Sequence, residues 1–148
     1  METKYTSQYA PEEDTYQTWY VLAEVEQEDG VSRIGSVRIR RMRECVAIGV
    51  AFALHVNEDY RRQGIARGLM LELERVALDN GITLILSTIR DDNPASASLV
   101  ASLGYVRLDG FNNPQSGADV HLYSKSLFRP AVEVKSKTQT EKSIPWKI

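Results

Sequence analysis

The chain has 148 residues, 43% hydrophobic and 26% charged, a balance that suits one soluble domain with a sizeable core and leaves little room for two. Its net charge of -2 argues against nucleic-acid binding through bulk charge, and no apolar run reaches membrane-spanning length. The N-terminal Met1, Glu2, Thr3, Lys4 and Tyr5 lack the basic-then-apolar plan of a signal peptide, so a cytoplasmic location is expected.

From the N-terminus, the first strand signal is Trp19 to Val25, followed by a turn at Gly30 and a second strand over Ile34 to Arg40. Val37 and Ile39 alternate with Arg38 and Arg40, one set for a core and the other for water. Cys45, the single cysteine, excludes an intramolecular disulfide and a cysteine-based metal cluster. With His55 and His121 as the only histidines, no metal site is expected. Ala47 to Val56 is nearly continuous in apolar residues and reads as a central strand covered on both faces.

Arg61, Arg62, Gln63, Gly64, Ile65 and Ala66 then lead into a helical pattern in which Ile65, Leu69, Leu73, Val76 and Ala77 share a face. A helix start leaves backbone N–H groups without intrahelical partners, Gly64 permits close backbone approach, and Arg61, Arg62 and Arg67 add charge. These residues suit a pyrophosphate cradle; the plain alternative is a basic surface turn. Asn80 and Gly81 stop the helix, and Ile82 to Ile89 must return as a strand parallel to the previous one. Asn93 and Pro94 begin a second helix that Gly104 closes. A strand from Tyr105, a loop over Asn112 to Gly117 and a last strand over Val120 to Leu127 complete a domain spanning 1–128. The polar 129–148 segment reads as a tail, extended or docking on a partner, with Ile144, Pro145, Trp146 and Ile148 at its end.

The run from Leu54 to Ala66 resembles the acetyl-CoA-binding motif of the GNAT superfamily of N-acetyltransferases, an apolar strand followed by a short loop and R/Q-x-x-G-x-G/A. Asn93, Leu99, Gly104 and Tyr105 resemble its second motif. The resemblance implies a mixed, partly parallel α/β sheet, with a splayed central strand pair and helices on both faces. It also implies acetyl-CoA as co-substrate. Leu54 and Val56 would meet the pantetheine arm, and Arg61, Arg62, Gln63, Gly64, Ile65, Ala66 and Arg67 the diphosphate. Asn93 would touch pantetheine, and Val100 would lie beside the thioester, where many members carry a tyrosine acid.

Three departures from the family pattern bear on activity. Val100 removes the usual general acid, and no acidic residue lies within Val46 to Val56 to serve as base. Glu44 and His55 are the nearest substitutes, although strand alternation sets His55 opposite Leu54 and Val56. Only 18 residues precede the first clear strand, too few for the strand and two helices that usually build the acceptor pocket. That pocket would then be open, completed by a second subunit or partner protein, or covered by the tail.

The expected function is acetyl transfer from acetyl-CoA to a primary amine by direct attack in a ternary complex. The alternative is a GNAT-fold protein of weak or no activity with a structural role. A third reading takes Arg33, Arg38, Arg40, Arg41 and Arg43 as a basic strip for RNA or an acidic protein, against a simple solvated hairpin face.

Overall fold

The computed structural model describes residues 2–11 and 17–127; the expected tail lies outside the described residues. These form, in order, β1 (Thr3–Pro11), β2 (Gln17–Gln27), β3 (Gly30–Arg41), β4 (Ile48–Val56), α1 (Ile65–Asp79), β5 (Leu84–Arg90), α2 (Pro94–Ser102), β6 (Val106–Asn112) and β7 (Asp119–Ser126). The strands make one sheet in the order β1-β2-β3-β4-β5-β7-β6. Within it, β4 and β5 are parallel and the other neighbours antiparallel.

β1 is a strand that hydrophobic patterning missed. It pairs with β2 along its whole length, from Thr3 opposite Val25 to Pro11 opposite Gln17. Its one strong core anchor among the described side chains is Tyr5, seated against α1 at Gly68. A Cβ there would lie 2.1 Å from the tyrosine hydroxyl, which is why the helix carries glycine at that contact.

The main core lies between the sheet and the helices. Val21, Val37, Ile39, Leu69, Leu73, Ile82 and Ile85 are almost wholly buried there, each contributing roughly 1.5–3 kcal/mol of hydrophobic stabilisation. Glu74 of α1 is buried among them, accepting from Tyr105 Oη at 3.1 Å and from Lys125 Nζ at 2.7 Å. This pair of contacts fastens α1 to β7 and to the residue that precedes β6.

The two described helices lie beside one another. Arg67 of α1 reaches Ser102 of α2 at 3.2 Å, and Met70 and Val100 line the same cavity. On the opposite face the arginines of β3 do the covering: the Arg38 guanidinium stands 4.7 Å from the Tyr20 ring centroid and Arg40 4.9 Å from that of Phe52.

Two irregularities in β4 shape the rest. β4 pairs with β5 only at Ile48, Gly49 and Val50, after which the two strands separate. In the same stretch Ala53 takes φ 57° and the β3 register jumps from Arg38–Phe52 to Ser36–His55. This is a β-bulge, one extra residue that bends the strand and reverses its alternation. Ala51 faces the core before it, and Leu54 and Val56 pack against the core after it.

Candidate functional site

The separated strands and the N-terminus of α1 create two adjoining cavities. The outer cleft, about 630 Å³, is lined by Leu54, His55, Val56, Tyr60, Arg61, Arg62, Gly64, Ile65, Ala66, Arg67, Asn93, Ala95, Ser96 and Leu99. Of the eleven residues that the resemblance assigned to acetyl-CoA, nine line this cleft. Gln63 sits within the same loop, its side chain donating to Asp59 O at 3.4 Å. Val100, buried in the core, lines the inner cavity instead.

The loop before α1 has the backbone of an anion cradle. Arg62 at φ 61° and Gly64 at φ 78° are both left-handed, and Gly64 caps α1 without any side-chain hydrogen bond. Successive left-handed turns curl main-chain N–H groups into a concave nest, and the adjacent helix end adds its dipole. A Cβ on Gly64 would meet nothing within 4 Å, so glycine serves here for its φ and for open space before the helix. Arg61 is anchored, its Nε donating to Val56 O at 3.1 Å, and Arg67 is held toward α2 through Ser102. The residues present fit a diphosphate.

Asn93 has the capping role expected of it. Its Oδ1 accepts from Ser96 N at 3.2 Å with Pro94 in the first turn, which commits the oxygen and leaves the amide NH2 as the end a ligand would engage. Asn93, Ser96 and Leu54 line both cavities and so mark the junction between them.

The inner cavity, about 240 Å³, fills the gap between β4 and β5 and is lined by Ala51, Phe52, Ala53, Leu54, Met70, Ser87, Thr88, Ile89 and Arg90, among others. Ala53 and Leu54 belong to neither the β3 nor the β5 register. On the β5 side their main-chain groups therefore stand beyond the ladder, past the point where Ser87 Oγ donates to Ala51 O at 3.2 Å. Ser87, Thr88 and Ser96 supply hydroxyls to this cavity. Sequence reading singled out none of them; the one signal for Ser96 was its place four residues before Val100, on the same face of α2.

The two weak base candidates separate. Glu44 is exposed in the loop before β4, at the end of the strand remote from the gap. His55 is exposed on the outer cleft, opposite in direction to Leu54 and Val56 as alternation required. The arginine strip also divides. Arg38 and Arg40 stack on the open face, whereas Arg41 lies over Trp19 at 5.4 Å and donates to the carbonyls of Val46 and Asn80. Among the described residues no cluster of three or more His, Cys, Asp or Glu could hold a metal, and no helix is long and apolar enough to cross a membrane.

A model of the acetyltransferase (GNAT) family matches residues 1–105, more than half of the chain, and the chain belongs to that family. Its chemistry is acyl transfer from acetyl-CoA. Solved structures share the fold at low identity. Ard1 from Thermoplasma volcanium is 14% identical, with TM-score 0.66, over 74% of this chain and 70% of that one. The ribosomal-protein-S18-alanine N-acetyltransferase from Escherichia coli is 16% identical, with TM-score 0.62, over 83% and 76%. The yncA structure from Salmonella typhimurium, solved with its cofactor acetyl-CoA, is 20% identical, with TM-score 0.61, over 80% and 68%. No curated protein matches the chain.

Proposed function

We propose that the protein is an N-acetyltransferase that moves the acetyl group of acetyl-CoA to a primary amine by direct attack, without an acyl-enzyme. The observation that carries this reading is the bulged, splayed end of β4. It sets main-chain groups of Ala53 and Leu54 beyond the β5 ladder, at the junction of the cleft before α1 and an inner cavity. Arg62, Gln63, Gly64, Ile65 and Ala66 bind the diphosphate through the main chain, Asn93 orients the pantetheine arm, and a β4 amide polarises the acetyl carbonyl. A donor placed in this way is worth on the order of 3 kcal/mol of barrier.

The acceptor nitrogen forms the new C–N bond as the C–S bond breaks. Sulfur leaves as the thiolate of CoA, and the proton lost by nitrogen ends on sulfur or in solvent, giving an amide and free CoA thiol. No side-chain acid is required for departure, because a thiol has a pKa of about 8.5. The lack of a carboxylate on β4 bears on the acceptor instead. Freeing a lysine amine of pKa near 10.4 at pH 7 costs about 4.6 kcal/mol, against about 1.4 for an α-amine near 8. Weakly basic amines are the favoured acceptors.

The test is a thermal shift with acetyl-CoA followed by thiol release with a mixed amine panel. Stabilisation together with thiol release, faster for an α-amine than for a matched lysine peptide, is the expected result. Stabilisation without thiol release would support the alternative, a GNAT-fold protein that binds acetyl-CoA without transferring its acetyl group.

A further inference from the structure

Resting on the transferase reading above, we infer that the acceptor is a primary amine that also carries an anionic group, carboxylate or phosphate, and that Arg38 holds this group on the open face of the sheet. The inner cavity, at about 240 Å³, is smaller than the roughly 300–1,000 Å³ of small-molecule pockets. It has room for the reacting ends of two substrates and not for the body of the acceptor. Its lining comes from both sides of the sheet: Val37, Met70 and Val100 from the helix side, Phe52 from the open side. The cofactor cleft occupies the helix side, so the acceptor enters past Phe52.

At that entrance the chemistry is aromatic and cationic. Gln8, Tyr20, Arg38 and Phe52 are successive register partners across β1 to β4. The Arg38 guanidinium lies 4.7 Å from the Tyr20 centroid and 6.0 Å from that of Phe52, the ring that also lines the cavity. Arg38 is exposed and forms no salt bridge with a described carboxylate; Glu72 and Asp79 pair with Arg75, Asp92 with Arg90, and Glu74 with Lys125. A guanidinium stacked on rings keeps its in-plane N–H groups for an acceptor at its edge, the geometry of bidentate contact with carboxylate or phosphate. A neutral amine would leave that charge unused, and a second cation would be repelled by it.

The experiment measures thiol release by the full chain at saturating acetyl-CoA with β-alanine, phosphoethanolamine and ethanolamine as acceptors. The expected result is kcat/KM at least about tenfold higher for one anionic amine than for ethanolamine; the carboxylate and phosphate arms report which anion is preferred. Arg38→Gln should erase that advantage by raising KM for the anionic amine while changing ethanolamine less than about twofold. Arg33→Gln, on the same hairpin, should change neither. Equal or better rates with ethanolamine, or an equal loss for all three amines in Arg38→Gln, would overturn the inference. Retained acetyl-CoA binding with no thiol release from any amine would overturn the transferase reading, and this inference with it.

Discussion

The two halves of β4 differ in what surrounds them more than in what they are made of. Gly49 and Val50 are paired on both sides, with Gly49 so enclosed that a Cβ would come within 2.9–3.0 Å of Ile39 and Ile82. Ala53 to Val56 has lost β5 altogether and is joined to β3 across a bulge. Both halves are apolar. One builds the fold, and on the proposed reading the other offers main-chain groups to a ligand, so the same composition would serve stability or binding according to whether the β5 ladder is closed.

Substitutions that act on one half alone test this division. The largest effect is expected from Gly64→Val in the loop beyond the open half, where a β-branched residue at φ 78° meets about 1–2 kcal/mol of strain and crowds the diphosphate contacts. Acetyl-CoA affinity should fall by roughly 100-fold in calorimetry, with a thermal midpoint lowered only by the strain. Lys125→Met acts on β7, whose partner β5 pairs with the closed half. It leaves buried Glu74 with Tyr105 as its remaining described partner and should cost about 2–3 kcal/mol in urea unfolding, with acetyl-CoA affinity unchanged.

Val100→Tyr probes the boundary between the halves. Val100 is 3% exposed and lines the inner cavity, so the larger side chain would occupy space that the reacting groups need, and restoring the family tyrosine should destabilise by about 1–3 kcal/mol without raising kcat. The smallest effect is one of pH. Burial, and then the Glu74 carboxylate, raise the Tyr105 phenol above its usual value of 10.0. The folded state thus holds the proton more tightly, a contribution complete below pH 10 and lost as pH rises beyond it. Unfolding free energy should decline by up to about 1.4 kcal/mol per pH unit from this group, and Tyr105→Phe should flatten that decline.

The cradle was legible because its physics is local. A glycine before helically spaced Ile65, Leu69 and Leu73, flanked by arginines, states a turn, a helix end and a charge at once. Asn93 was legible for the same reason, since a cap beside Pro94 is decided within four residues. β1 was hidden because most of its stabilisation is pairing with β2, which leaves little hydrophobic pattern beyond Tyr5. The bulge left no mark at all, as alanine rarely takes φ 57° and nothing in the apolar run of β4 signals it. Without it, neither the reserve of main-chain groups nor the hydroxyls of Ser87 and Ser96 beside them could be placed.

Titration of 15N-labelled protein with CoA, followed by amide NMR, tests most directly whether the main chain before α1 is the diphosphate site. The amides of Gln63, Gly64, Ile65 and Ala66 should show the largest shifts, those of Ala53 and Leu54 should follow, and those of β1 and β2 should stay in place. Saturable CoA binding with the Gln63 to Ala66 amides unmoved would contradict the account.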